Sequence, residues 1–265
     1  MASIRTHDYS SEILINSASD KVNINDTLSS WSSNFKIPIQ LEPNVDYSMY
    51  VSSASITNTI DQFHPTELSF KLNSTVITID PEIIHKNTSK LCVYLSNLCS
   101  LQSEDLLFLV DTNTQRIIIK NMSGSDLTID LSSQYLPFWR KIGFRYDNSV
   151  SLTELVLTDQ QQVLLKYIAR VTSTQRVYIA CDQIKNNSYY PTDNNRAILT
   201  SIDIVGGYGT YNTYEAPFIY EHDLVYTNSF QYLTFQVYDD QFREIELRGG
   251  GVNLGLVVKK TNYND

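Results

Sequence analysis

The stretch Phe230-Gln-Tyr-Leu-Thr-Phe-Gln-Val-Tyr238, with the residues that follow it, decides the fold class. Leu233, Phe235 and Val237 fall on one face of an extended chain, and Phe230, Tyr232 and Tyr238 on the other. Side chains alternate along a strand, so a strand apolar on both faces is expected to be central and covered on both sides. Asp239-Asp240-Gln241 then reads as a turn, and Arg243-Glu-Ile-Glu-Leu247 as a second short strand. Gly249-Gly250-Gly251 reads as a hairpin turn, because glycine reaches positive φ without strain, and Asn253-Leu-Gly-Leu-Val-Val258 as a third strand. This looks like the end of a β-sandwich.

The same patterning recurs upstream. Residues 163–169, 176–181 and 197–204 read as strands, with polar loops at 186–195 and 206–214. Near the start, Phe35, Ile37, Ile39 and Leu41 alternate with polar residues and Pro38. Proline lacks an N–H, so this strand is expected at a sheet edge or broken locally. Residues 45–56 give another strand, whose change of phase predicts a bulge near Ser52-Ser53. Residues 1–30 are polar and read as an arm or an irregular first strand.

Between these β regions the pattern changes. Strand pairs are expected around Asn73-Ser74 and across Asp111-Thr112-Asn113. A helix capped by Thr88 or Ser89 places Leu91, Tyr94, Leu95 and Leu98 on one face. A strand at Leu127-Ile129-Leu131 and a short helix opened by Ser132 or Ser133, interrupted by Pro137 and ending at Gly143, complete the block. The fold class is therefore all-β dominated: a β-sandwich of residues 31–60 and 150–265, behind a polar arm of residues 1–30, with an inserted α+β subdomain at 61–149.

Composition narrows the function classes. Among 265 residues the formal net charge is −9, and Lys and Arg are scattered, which argues against direct nucleic-acid binding. No segment approaches the roughly 20 apolar residues of a membrane span, and the N-terminus lacks the apolar run of a signal peptide. Cys92, Cys99 and Cys181 form no CxxC pair and read as buried free thiols. His7, His64, His85 and His222 have no metal-ligand spacing and read as surface or interface residues. Gly206-Gly207-Tyr208-Gly209-Thr210 lacks the Lys-Ser/Thr of a phosphate loop, and Asp239-Asp240 reads as a turn rather than an acid/base pair. No catalytic, metal or cofactor residues are assigned, and the chain is read as a non-enzyme. Tyr189, Tyr190, Tyr208, Tyr211 and Tyr214 are loop aromatics suited to an interface or a receptor.

The order of these elements resembles a known family, the penton or minor capsid proteins of polinton-like viruses, virophages and adintovirus-type elements. Ser33-Asn-Phe-Lys-Ile-Pro-Ile and the Ser-Ala-Ser-Ile-Thr-Asn-Thr stretch ending at Thr59 are similar to its opening strand and "L-x-S-A-S-I-P-N-T" motif, with Thr57 where Pro is common. Residues 116–121, 127–131 and Lys141-Ile-Gly-Phe144 are similar to its strand–strand–"LGF" pattern, with Ile142 for Leu. Residues 177–182 and 197–202 and the closing "T-F-x-V-x-D-D" strand follow in the same order. The resemblance covers most of residues 33–258. It implies a jelly roll that forms a homopentamer at the five-fold vertices of an icosahedral virion, beside a double-jelly-roll major capsid protein. It brings no catalytic residue. The lack of a signal peptide is expected to place assembly inside the host cell, and a projecting insert with loop tyrosines suits a host receptor as a further partner. The alternative is a receptor- or glycan-binding jelly-roll module of lectin-like type.

Overall fold

The alternating sequence becomes seventeen strands and two α-helices in a computed structural model that describes residues 3–7, 10–16, 30–84, 87–145, 152–170, 174–185, 197–215, 220–226, 228–247 and 250–261. The first strands are β1 (Ser3–His7), β2 (Ser10–Asn16), β3 (Ser30–Gln40) and β4 (Tyr47–Thr57). Next come β5 (Ser69–Leu72), β6 (Thr75–Thr78), α1 (Thr88–Leu101), β7 (Leu106–Val110), β8 (Arg116–Asn121) and β9 (Leu127–Asp130). Then follow α2 (Leu136–Lys141), β10 (Glu154–Leu157) and β11 (Gln162–Ile168). The chain closes with β12 (Arg176–Cys181), β13 (Ile198–Asp203), β14 (Tyr211–Glu215), β15 (His222–Asp223), β16 (Ser229–Tyr238) and β17 (Val252–Lys260). They fall into two compact units, residues 1–60 with 174–265, and residues 61–173.

The first unit is a sandwich of two antiparallel sheets. One runs β1-β2-β17-β4-β14, with β15 also on β4, and the other runs β13-β12-β16-β3. Leaving out β1 and the two-residue β15, eight strands remain. Numbered along the chain, they run 1-8-3-6 in the first sheet and 2-7-4-5 in the second. That is the double Greek-key wiring of a jelly roll, with the inserted unit between its third and fourth strands. Inward side chains of both sheets share one core. Ile13, Met49, Ile56, Leu254 and Leu256 come from the first sheet, and Trp31, Val177, Ile179, Leu233, Phe235 and Val237 from the second. The Trp31 and Phe235 rings stack at 5.2 Å between centroids, and Phe35 meets Phe230 edge-on at 5.9 Å.

Local expectations meet the ladder with mixed outcomes. β3 is an edge strand, and its pairing to β16 is interrupted between Asn34 and Ile39, around Pro38. The β4 bulge falls at Ser52: Gly255 faces Ser53 while Leu256 faces Val51. The polar first 30 residues are not merely an arm. β2 pairs along its length with β17, which buries Ile13 and Ile15, a pattern too short to stand out among its polar neighbours. Residues 243–247 form no strand, only single bridges from Glu244 to Tyr238 and from Leu247 to Ile60. Gly249 lies outside the described residues, and β17 makes no hairpin with residues 243–247, because its partners are β2 and β4. β16 is central, but its outer face is only partly covered, and Tyr232 is 47% exposed.

The second unit holds the sheets β10-β9-β5-β6 and β11-β8-β7, with both helices. Its core centres on Phe70, which stacks on Phe138 at 4.3 Å and meets Trp139 edge-on at 5.4 Å. Asn87, not Thr88 or Ser89, caps α1, its side chain accepting from the Lys90 N–H at 2.9 Å. Pro137 sits in the first turn of α2, where its missing N–H costs no helical bond, so it starts the helix rather than interrupting it. The boundary of this unit also differs from the sequence expectation. β10 pairs with β9 and β11 with β8, so residues 150–173, assigned to the sandwich by periodicity, complete the insert instead. Period two announces a strand but not its partner.

Candidate functional site

The five tyrosines do not form one loop cluster. Tyr189 and Tyr190 lie outside the described residues. Tyr208 stands 47% exposed in the turn before β14. Tyr211 and Tyr214 belong to β14 itself, contrary to the loop assignment: Gly206–Thr210 carries the turn, and the ladder to β4 begins at Tyr211. Tyr211 is 61% exposed, whereas Tyr214 packs against the sandwich core.

Asn58, which the sequence reading passed over, organises this turn. Its backbone N–H donates to the Thr210 carbonyl at 2.8 Å, and its carbonyl accepts from Gly209 at 2.6 Å. Its side-chain amide donates to the Gly207 carbonyl at 3.1 Å. Gly206 and Gly209 take φ of 95° and 84°, the left-handed region where glycine is unstrained. The Gly209 N–H that a phosphate loop would offer an anion is thus already committed. The available signal is Asn58-Thr59, a polar pair directly after β4.

β14 also borders a shallow trough of about 510 Å³ on the outer face of the first sheet. The ladder registers set its floor. One row across four strands reads Asn16, Asn253, Ser55 and Thr213, and the next reads Leu14, Gly255, Ser53 and Glu215. The Tyr211 hydroxyl donates to Ser55 Oγ at 2.6 Å, and Asn253 Nδ2 donates to the same oxygen at 3.1 Å.

The other residues weighed from sequence take structural places. His222 is buried at 1% exposure, not at the surface, and burial holds its imidazole below the ordinary 6.5. His64 caps the 3-10 turn Pro65–Glu67 in the second unit, and His85 lies outside the described residues. Asp239 makes the expected turn, accepting from the N–H groups of Gln241 and Arg243, both at 2.8 Å, and pairing with the Arg243 guanidinium at 2.7 Å. All three cysteines are buried and unpaired. Among the described residues no helix is long and apolar enough to cross a membrane.

No protein-family model and no curated protein matches the sequence. Among solved structures the chain is similar to the mavirus penton protein, with 13% identity and a TM-score of 0.47, over 94% of this chain and 100% of that one. It is also similar to a chain of the Sputnik virophage structure, with 12% identity and a TM-score of 0.44, over 96% of this chain and 98% of that one. At these values the strand order, not the likeness, establishes the jelly roll.

Proposed function

We propose that the chain is a structural virion protein: a penton that forms homopentamers at the five-fold vertices of an icosahedral capsid, among a double-jelly-roll major capsid protein. The observation that carries this reading is the 1-8-3-6 and 2-7-4-5 strand order with a second unit inserted between strands three and four. Jelly rolls of this wiring build viral capsid shells, and the sequence motifs resemble the penton family in the same order. The reading assigns the chain no reaction, takes assembly to occur inside the host cell, and leaves the exposed aromatics Tyr208 and Tyr211, with Tyr189 and Tyr190, to contacts with neighbours or a host receptor.

Light scattering on the purified full chain tests the oligomer, with an expected mass near five times the 30.3 kDa chain and five-fold rings by negative stain. A monomer at all concentrations, absent from purified particles, overturns the proposal. The lectin-like alternative is favoured by one observation, the trough beside Tyr211 with hydroxyl and amide groups of Ser53, Ser55, Thr213 and Asn253 on its floor.

A further inference from the structure

We propose that the open edge of β3, over Ser30–Asn34, is a self-pairing edge: the same stretch of a second copy adds to it, antiparallel, about a two-fold axis. The inference goes beyond the vertex reading and does not rest on it.

The hydrogen bonds of β16 fix which groups of β3 are left over. The Thr234 carbonyl accepts from the Asp182 N–H at 3.1 Å, and the Thr234 N–H donates to the Gln183 side chain at 2.7 Å. Both groups thus point to the β12 side. Backbone direction alternates along an antiparallel strand, so Leu233 and Phe235 turn the other way and bond their partners Ser33 and Trp31 on β3. Ser30, Ser32 and Asn34 therefore aim their N–H and C=O groups away from β16. β3 is the last strand of its sheet, and among the described residues no other element bonds these groups.

Proteins usually blunt such an edge, and elsewhere this chain does so. Pro38 removes an N–H from the far half of β3, where the ladder is already interrupted. At the other end of the same sheet, the Leu199 carbonyl on β13 is bonded by His222 at 3.1 Å. In the second unit, Ser96 Oγ accepts from the Phe108 N–H on the end strand β7 at 2.9 Å. Ser30–Asn34 carries no proline, no charge and no such cap.

The stretch is also complementary to itself. A two-fold centred on Ser32 sets Ser32 opposite Ser32 and Ser30 opposite Asn34, all as hydrogen-bonding pairs, for about six backbone bonds. The side chains of these residues share the outer face, while Trp31, Ser33 and Phe35 are buried on the inner one. Pairing therefore keeps both cores on one side of a continuous sheet. The facing row is small and uncharged, and Lys36 lies beyond it, away from its own mate. A two-fold contact uses the same edge on both copies, so pairing closes at two instead of growing into a fibre.

Sedimentation of the purified full chain should show a concentration-dependent doubling of mass, from one chain to two or from one ring to two. Asn34→Pro removes an N–H that makes no bond to β16. It should raise the dissociation constant of the doubled species at least tenfold, with an unchanged melting temperature. Ser32→Lys, which sets like charges face to face, should do the same, and decides if Asn34→Pro fails to fold. A short bis-maleimide should join Ser32→Cys chains in pairs but not Asn97→Cys chains, whose site is exposed on α1; the native thiols are buried. A mass that never doubles, doubling unchanged in the folded variants, or Ser32→Cys no more cross-linked than Asn97→Cys overturns the edge. A paired chain that never forms a five-fold ring refutes the vertex proposal only, and a pentamer that never pairs refutes this one only.

Discussion

The imidazole of His222 on β15 donates from Nε2 to the Leu199 carbonyl on β13 at 3.1 Å, and so ties one sheet of the sandwich to the other from inside. Burial is the main cause that keeps this ring neutral, although the Leu199 bond and the nearby Asp223 charge work in the opposite direction. A histidine whose folded pKa is depressed contributes stability that is full above the ordinary 6.5 and is lost as pH falls toward the folded value. We expect the denaturant midpoint of the chain to decline as pH drops below about 6.5. His222→Gln, whose amide also donates, should flatten that slope. An unchanged slope in the variant would remove His222 as its source.

In the second unit, Lys141 Nζ lies 3.6 Å from Glu67 Oε2, with both side chains almost wholly buried. Lys141 also sits over the Phe63 ring, and Glu67 accepts from the His64 N–H at 3.0 Å. Removing one partner strands the other charge. Lys141→Met alone should cost about 3–5 kcal/mol of unfolding free energy, and the double change Lys141→Met with Glu67→Leu should recover part of it. A double-mutant cycle followed by urea unfolding reads this coupling. Additive effects would show that the pair is not a unit.

Gly143 ends α2 at φ 108°, and an added Cβ would overlap the Tyr167 carbonyl oxygen. The Gly143 carbonyl accepts from the Tyr167 N–H at 3.0 Å, so this close approach joins the end of α2 to β11. Gly143→Ala therefore meets both backbone strain and overlap, and should lower stability by roughly 2–4 kcal/mol. Gly124→Ala, which shares the positive φ but meets nothing within 4 Å, should cost less. Thermal unfolding of the two variants separates strain from crowding.

Burial pushes the thiols of Cys92, Cys99 and Cys181 up to about 12 from an ordinary 9.0. Only about one thiol in ten thousand is then a thiolate at pH 8. Ellman's reagent should find no fast-reacting thiol in the native chain and all three in guanidinium. The folded state holds these protons more tightly than the unfolded one. Stability should thus be full below pH 9 and fall as pH rises from 9 toward 12. A native thiol that titrates within seconds at pH 8 would contradict the burial.

Much of the sandwich was legible because its code is local. Leu233, Phe235 and Val237 alternate without interruption, and all three are fully buried. Pro38 and Ser52-Ser53 were readable for a similar reason: a missing N–H and a slip of phase are properties of a few neighbouring residues. Where β11 and the glycine triplet belong could not be read this way, since pairing is decided by distant partners. The site was less legible still. Tyr211 stands out as an aromatic, but its fixed position depends on Ser55 and Asn253, which lie 156 and 42 positions away along the chain and meet it only through the ladders to β4 and β17.

Period and turn chemistry act over a few residues, so the amino-acid order alone specifies where strands form, which faces are apolar, and that an α+β block interrupts a β chain. The 1-8-3-6 and 2-7-4-5 wiring, the reach of the insert to residue 173 and the rows that meet beside Tyr211 came from the three-dimensional arrangement. Each of these is a choice of neighbour between segments far apart in the chain. That choice follows from the shared burial of many side chains at once, which no single stretch encodes.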